Sequence, residues 1–326
     1  MNDLLLIGLL GAVVATNQPE PAGNLAAQTN AVSVSLSDAN DPLEQEYHKL
    51  LTDDQAALDE VDGWIHDNKA FAEKGGGPPS AELNERILTR LAPVKKAYED
   101  FLKRHPDHVR AHLAYGSFLQ DSRNPDAAAA EFEKVRQMDP KNPVPWNQLA
   151  NYYSEAGPVT KSFEYYAKAI ELAPHQPIYY QNLASCIYLF RKDAGEFYKI
   201  DEQAVFSKAL ALYRQALKLD PNNFELAEDV AETYYGIKPT RTEDALIAWT
   251  NAMNLATNSY QKEGVYIHLA RFKMNAGRFA EARANLSQIT NTLYGELKAR
   301  VLYNISLQER KFMETNAPSA AAEMKP

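Results

Sequence analysis

Bulky and small side chains recur at helical spacing in the segment from Pro143 to Pro174. Its bulky residues are Trp146, Leu149, Tyr153 and Tyr166, and its small residues are Ala150, Ser162 and Ala169. Most of these positions lie three or four residues from the next, which is the spacing of one face of an α-helix. Gly157 interrupts the pattern midway, and Pro174 ends it because proline cannot continue a helix. The segment therefore predicts two antiparallel helices joined by a short turn.

The same arrangement recurs along the chain, and prolines mark its period. Pro106, Pro140 and Pro174 are each 34 residues apart. A third copy closes at Pro221 after 47 residues, so it carries an insertion between its two helices. Two further copies follow. Four copies besides the segment from Pro143 to Pro174 thus have matching small and bulky positions. In chain order these are Gly116, Ala128 and Phe132 before Pro140; Ala184, Ala209 and Tyr213 before Pro221; and, in the two copies after it, Ala231, Ala245 and Trp249, then Ala270, Ala282 and Leu286.

This spacing resembles the 34-residue tetratricopeptide repeat. The resemblance implies an all-α fold, a right-handed superhelical solenoid of antiparallel helix pairs, with five repeats over residues 106–290. One repeat cannot bury its apolar face alone, so neighbouring repeats stack on it. Small residues let the two helices of a repeat approach closely. We expect such contacts between Gly116 and Ala128, and between Ala150 and either Ser162 or Ala169.

Segments with other patterns flank the repeats. Residues 42–105 predict a long helical pair, or a degenerate repeat, that packs on the first clear repeat. Residues 291–311 predict a helix that caps the last repeat, because the apolar residues of this segment share one face. Residues 16–41 and 312–326 contain few large apolar residues and predict a disordered linker and a disordered tail.

The N-terminus carries an apolar run of twelve residues, Leu4 to Ala15. It is short for a membrane span, which needs about 20 residues, and we predict no integral membrane span. It is typical of a secretory signal, although no basic residue precedes it. We therefore predict a signal peptide over residues 1–15 and export to the periplasm or the medium. A cytoplasmic protein with an apolar N-terminus is the alternative.

Composition argues against several classes of function. The net charge of −9 disfavours nucleic-acid binding, which depends on clustered Lys and Arg. The one cysteine, Cys186, excludes an internal disulfide framework and cysteine-rich zinc sites. His105, His108 and His112 are close in sequence, but no convincing set of further ligands accompanies them, and we interpret them as structural or surface residues. Motifs of catalytic sites are absent from the sequence. We predict a protein that is not an enzyme and holds no cofactor or metal.

The resemblance also implies a concave groove lined by the first helix of each repeat. Its polar row at one repeat position comprises Ala114, Gln148, Asn182, Asp229 and His268. Amide side chains both donate and accept hydrogen bonds, so Gln148 and Asn182, together with Asn151, are candidates for holding an extended peptide backbone. The alternative is that these residues are merely exposed and polar.

Some members of the family hold a C-terminal carboxylate with Lys and Arg side chains, and this chain departs from that pattern. Asn151 and Asn182 match two of the clamp positions, but Asn147, Glu225 and Asp229 replace the cations. Together with Glu228 and Glu232, these acids place four carboxylates on one predicted helix. We therefore expect this part of the groove to prefer a peptide bearing Lys or Arg, and a solvated acidic face is the alternative.

The insertion in the third repeat, residues 188–208, is dense in aromatic residues. Either it packs on its neighbours or it projects as a contact site, and packing is favoured because exposed apolar surface is costly in water. The sequence thus predicts a non-catalytic scaffold that binds partner peptides in a groove. The alternatives are a structural solenoid of an envelope complex, acting through its convex face or the insertion, and an accessory subunit of an enzyme complex.

Overall fold

The structure, a computed structural model, describes residues 41–72 and 80–316, and helices are the only regular elements in these two ranges. The signal peptide predicted for residues 1–15, the linker except Asp41, and residues 317–326 lie outside them. The helices are α1 (Pro42–Ala72), α2 (Ser80–Arg104), α3 (Val109–Asp121), α4 (Pro125–Met138), α5 (Pro143–Ala156), α6 (Val159–Leu172), α7 (Pro177–Leu189), α8 (Arg191–Tyr198), α9 (Glu202–Leu219), α10 (Phe224–Thr233), α11 (Thr242–Leu255), α12 (Ser259–Asn275), α13 (Phe279–Ser287) and α14 (Gly295–Asn316), with a 3-10 helix at Thr292–Tyr294.

The prediction of an all-α protein built from helix pairs is confirmed. Contacts divide the chain into two compact units, Met1–Pro174 and His175–Pro326. The first contains the pair α1 and α2 and the first two predicted repeats. The second contains the other three repeats and α14. Within each unit a helix packs mainly on its neighbours in the sequence, as expected for stacked repeats. The sequence did not predict the division between the units.

Small residues lie buried where the predicted close approaches occur. Ala150, Ser162 and Ala169, on α5 and α6, have no accessible surface. On α3, Gly116 lies directly against the ring of Phe132 on α4: a Cβ atom added at Gly116 would come within 2.6 Å of that ring. The small side chains therefore determine how near the paired helices lie, although the side chain that meets Gly116 is that of Phe132 and not the expected Ala128.

Helix starts follow the local sequence. Proline occupies the first position of α4, α5 and α7, where no intrahelical N–H bond is lost. The side chain of Asn142 accepts a hydrogen bond from the Val144 N–H at the start of α5. Gly157 ends α5 with a φ of 69°, a left-handed conformation that glycine adopts readily. These signals explain the short turn between α5 and α6.

The insertion in the third repeat forms an additional helix, α8, between the paired helices α7 and α9. Phe206 is buried in α9. Tyr188, on α7, accepts a hydrogen bond from the Gly236 N–H, and its hydroxyl lies where a side chain at Gly236 would be. Phe197 and Tyr198 are half-buried and meet edge to face, with ring centroids 4.8 Å apart. These aromatic side chains therefore pack within the second unit.

The C-terminal helix is longer than predicted. The 3-10 turn Thr292–Tyr294 leads into α14, which extends to Asn316 and so includes five residues that we predicted to be tail. Val301 and Ile305 are buried in a cluster with α12 and α13, which accounts for the early part of the helix. Arg283 on α13 also donates to Glu309 at 2.6 Å. The helix continues because its last residues contain no helix breaker.

We predict that Gly116→Ala destabilises the first unit by about 1–3 kcal/mol, because the new methyl group overlaps the buried Phe132 ring. Urea denaturation monitored by circular dichroism measures the change. A second substitution, Phe132→Leu, makes room at Gly116 and should recover part of the loss in the double variant, beyond the sum of the single effects.

Gly63→Ala on α1 is the matched control. Gly63 also lies inside a helix, but nothing would approach its Cβ within 4 Å. This variant should be as stable as the wild type or more stable by up to ~1 kcal/mol, because alanine favours helix more than glycine does. Equal effects at the two glycines would contradict the packing account.

Candidate functional site

In the first unit, the candidates Gln148 and Asn151 form a hydrogen-bonded network on α5. The Asn151 side-chain NH₂ donates to Gln148 Oε1 at 3.0 Å. The hydroxyl of Tyr166, on α6, donates to Asn151 Oδ1 at 2.6 Å. Both amides are half-buried. These hydrogen bonds fix the orientation of the two amides and use the side-chain oxygens of both Gln148 and Asn151. The NH₂ group of Gln148 takes no part in them, so it is the more available donor of the two amides.

In the second unit, the candidates Asn182 and Asp229 lie on α7 and α10, both half-buried. The residue beside Asn182 makes the direct link between these helices: Gln181 Nε2 donates to Asp229 Oδ2 at 2.8 Å. Gln181 was not among the predicted site residues. Its contact joins two residues that are 48 positions apart in the sequence, and local patterns do not reveal such a contact. The polar row predicted from repeat positions is thus supplemented by a neighbour from the same helix.

The four predicted acids share one face of α10, since Glu228 and Asp229 each lie three or four residues from both Glu225 and Glu232. Glu225 is exposed, whereas Glu228, Asp229 and Glu232 are half-buried. Burial, followed by the charges of Asp229 and Glu225, raises the pKa of Glu228 to about 7. Burial also raises the pKa of Asp229 to about 6, against the hydrogen bond from Gln181. We call Glu225, Glu228, Asp229 and Glu232 the acidic face.

Arg271, on α12, supplies positive charge near one end of the acidic face. Burial and the neighbouring charges of Glu228 and Asp229 raise the pKa of Glu232 to about 7, and Arg271 acts in the opposite direction. Arg271 does not prevent the rise. The acidic face therefore contains carboxyl groups that are only partly charged near neutral pH, which is the expected result of crowding like charges in a poorly hydrated place.

The candidate His268 lies among aromatic rings. Its imidazole stacks on Trp249 with a centroid distance of 4.0 Å and an interplanar angle of 11°. Its Nδ1 atom is 2.9 Å from the hydroxyl of Tyr235. Burial, with a contribution from Arg271, lowers the pKa of His268 to about 3, so the ring is neutral at physiological pH. These contacts give His268 a packing role that its place in the polar row did not indicate.

The other histidines singled out in the sequence have structural partners. His112 Nδ1 lies 2.5 Å from Glu131 Oε2, and its Nε2 lies 2.8 Å from the carbonyl oxygen of Pro106. His108 caps α3 by accepting a hydrogen bond from the Ala111 N–H. Within residues 41–72 and 80–316, no cluster of histidine, cysteine or acidic side chains is arranged to hold a metal ion.

A cavity of about 820 Å³ opens beside α8. Leu189, Phe190 and Ile200 provide apolar surface, and charged side chains of both signs surround it. The sequence indicated this region through its aromatic density but did not predict the extra helix or the cavity. In the described part of the chain, every helix is too short or too polar to cross a membrane.

Two segments of the chain match the tetratricopeptide repeat family. Residues 95–143 match it across the end of α2, all of α3 and all of α4, and residues 145–176 match it across α5 and α6. The predicted repeats are therefore confirmed as members of this family over residues 95–176.

Curated relatives are distant. The chain is 23% identical over 146 residues to the RNA polymerase-associated protein CTR9 of Caenorhabditis elegans, an alignment that covers 44% of this chain and 13% of that protein. It is 24% identical over 152 residues to the photosystem I assembly protein Ycf3 of Cyanophora paradoxa, covering 45% of this chain and 83% of that protein. Among solved structures, PilF of Pseudomonas aeruginosa matches with a TM-score of 0.47 and 17% identity, over 79% of this chain and 99% of that one.

The raised pKa values predict that the second unit loses stability as pH rises. A carboxyl group whose pKa is near 7 in the folded protein and 4.5 when unfolded binds more protons when folded between these values. Its favourable contribution, present below pH 4.5, is therefore lost as pH rises through 7. Glu228→Gln and Glu232→Gln should each reduce this loss. Urea unfolding monitored by Trp249 fluorescence, with Trp64 and Trp146 replaced by Phe, measures it.

Glu131 provides a comparison of opposite sign in the first unit. Burial acts to raise the pKa of Glu131, but hydrogen bonds from His112 and Lys134 outweigh it and lower the pKa below 4.5. Its contribution is present above that value and is lost as pH falls. Glu131→Gln should therefore destabilise most at neutral pH, read from Trp64 and Trp146 with Trp249 replaced. The same pH trend for the Glu131 and Glu228 variants would refute both assignments.

Proposed function

Because this chain is a tetratricopeptide-repeat protein, we propose that it is a non-catalytic scaffold that binds segments of partner proteins. The fold and the family support an interaction module in general, and fold alone does not select the ligand. The choice of ligand rests on the acidic face of α10. We propose that this face holds a partner peptide that bears Lys or Arg. Neither a cofactor nor a metal takes part in this function.

The observation that carries the proposal is the crowding of carboxyl groups on α10. Burial, followed by the charges of neighbouring acids, raises the pKa values of Glu228, Asp229 and Glu232, so keeping these groups on α10 costs folding free energy once they ionise. A Lys or Arg side chain placed among them would stabilise their ionised forms and offset this cost. That stabilisation would contribute to the binding free energy of a cationic peptide. An anionic C-terminus, by contrast, would be repelled.

Amide groups would complement this charge recognition. In the first unit, Gln148 and Asn151 are already oriented by their network with Tyr166. In the second unit, Asn182 lies on α7 beside Gln181, which bonds to the acidic face. We propose that Asn182 contacts the backbone of a peptide bound at the second unit, because a peptide backbone is the same for every sequence. Gln148 and Asn151 offer the same kind of contact to a peptide bound at the first unit. His268 would support the site through its packing on Trp249 and not through its charge.

We predict that a fluorescein-labelled twelve-residue Gly/Ser peptide with three lysines binds the full chain about tenfold or more tightly than its three-glutamine counterpart. Fluorescence anisotropy measures both affinities. Binding of the lysine peptide should weaken with added salt, because screening reduces the attraction. It should strengthen from pH 6 to pH 8 as Glu228 and Glu232 lose their protons.

Glu228→Gln with Glu232→Gln should remove most of this preference while keeping side-chain shape. The matched control is Glu155→Gln with Glu164→Gln, two exposed acids of the first unit, which should change nothing. Equal affinity for the lysine and glutamine peptides would contradict the proposal. Loss of binding on replacing residues 190–200 by a short loop, with no effect of the acidic variants, would instead identify the cavity beside α8 as the binding surface.

That cavity supports the second candidate function. Leu189 is exposed at its edge, and Phe190 and Ile200 extend the apolar surface. A partner side chain inserted there would bury apolar area, which is the main source of affinity in many interfaces. Under this alternative the protein is a structural solenoid of an envelope-associated complex that acts through the 188–208 insertion.

We also propose that the protein is exported, on the basis of the apolar run Leu4 to Ala15. The expected result is that a C-terminal alkaline phosphatase fusion to the full chain is active in a bacterial host, since this enzyme needs the oxidising periplasm. A fusion lacking residues 4–15 should remain in the cytoplasm and be inactive. Activity of both fusions, or of neither, would contradict export through this segment.

A further inference from the structure

One face of α14 is exposed among the described residues and carries large apolar side chains. Leu293 in the preceding 3-10 turn is 77% exposed, Tyr303 69%, Leu307 37% and Met313 63%. The opposite face is packed, because Val301 and Ile305 are buried against the rest of the second unit. Exposed apolar residues are ordinary when single, but several on one helical face indicate a binding surface.

Charged residues on the same face are also without partners. Glu296 and Arg310 are exposed, and neither forms an ion pair or side-chain hydrogen bond with any residue in the described ranges. They are seven residues before and seven residues after Tyr303, a separation of two helical turns. Both therefore lie on the face that carries the Tyr303 ring, in opposite directions along the helix.

The order of residues on this face is complementary to its own reverse. Counting outward from Tyr303, four residues away lie Ala299 on one side and Leu307 on the other, one small and one large. Seven residues away, Glu296 and Arg310 are of opposite charge. Ten residues away, Leu293 and Met313 are both apolar. A face of this kind matches a second copy of itself running antiparallel.

We propose that α14 pairs with α14 of a second copy of this chain, antiparallel, on a two-fold axis through Tyr303. Each contact then occurs twice, as in any interface of this symmetry. The two Tyr303 rings meet on the axis, Leu307 packs over Ala299 of the other copy, and Glu296 forms an ion pair with Arg310 of the other copy. Together with the pair of Leu293 and Met313, seven exposed side chains of each copy gain a partner by one operation.

Charge selects this register against its competitors. An antiparallel pair centred on Ile305 would bring Tyr303 to Leu307, which is acceptable, but it would set Arg300 against Arg310 and Glu296 against Glu314. A parallel pair would set Glu296 against Glu296 and Arg310 against Arg310. Like charges held face to face oppose association, whereas the Tyr303-centred pair has none at these positions.

A charge swap tests the pairing in the full chain by sedimentation equilibrium. Glu296→Arg or Arg310→Glu alone should weaken the dimer by about tenfold or more, since each creates two repulsive contacts. The double variant Glu296→Arg with Arg310→Glu should restore the wild-type dimer. Because both side chains are exposed, circular dichroism should remain unchanged. A monomeric wild type, or single variants as dimeric as wild type, would overturn the proposal.

Disulfide trapping tests the register. Paired helices have axes about 8–10 Å apart, which brings residues on the axis within the Cα separation of a disulfide. Tyr303→Cys should therefore form a cross-linked dimer under mild oxidation. Leu307→Cys should not, because its copy lies about 12 Å away along the helix. Cross-linking of both variants would indicate parallel pairing and refute the two-fold axis.

Tyr303→Asp offers an independent check, because it places two carboxylates on the axis and should dissociate the dimer. Ile247→Asp is its matched control: Ile247 is 70% exposed on α11, so it changes the same kind of side chain away from α14. It should leave the dimer intact. Dissociation by both substitutions, or by neither, would exclude α14 as the contact. Peptide binding at the acidic face is measured separately, so failure of one proposal does not decide the other.

Discussion

The close approach of paired helices through small side chains is the constraint on which each unit depends. Gly116 lies against Phe132, and Ala150, Ser162 and Ala169 lie buried between α5 and α6. Because the backbones of the two helices in a pair lie so close together, bulky side chains do not fit between them. They fill the space between successive pairs instead. Every pair then presents an apolar surface that only another pair can cover. The polar residues on the remaining surface contribute little to the fold, and they are the ones that can vary with function.

Periodicity and turn residues were sufficient to predict the helices, because both act locally. Gly157, Pro143 and Asn142 define the ends of α5 through their own backbone preferences. The surroundings of a side chain depend on other helices and were harder to predict. His268 belongs to the polar row by position, yet Trp249 and Tyr235 enclose it. Likewise Gln181, which lies beside the row and not in it, bonds to Asp229. The insertion could be located from repeat length, but its extra helix could not.

The second unit combines two kinds of unsatisfied surface. On α10, carboxyl groups lie close together in a partly buried place, where burial and then the neighbouring acidic charges raise their pKa values. On the outer face of α14, large apolar side chains are exposed, and Glu296 and Arg310 form no ion pair with any residue of the described chain. Neither arrangement favours the isolated protein, since the first costs folding free energy and the second exposes apolar area. Both become favourable when a partner is present. The same unit can thus have separate surfaces for a cationic peptide and for another copy of itself.

The contact between Tyr188 and Gly236 ties two helix pairs together in an unusual way. The tyrosine belongs to the pair α7 and α9, and the glycine to the loop of the next pair. Repeat proteins change readily by gaining, losing or exchanging whole repeats, because each repeat interacts with its neighbours through similar surfaces. Here an exchange of either pair alone would leave a tyrosine hydroxyl facing a bulky residue, or a glycine facing a gap. The two pairs therefore depend on each other's residues, and a recombinant array built from this chain should be cut on either side of them.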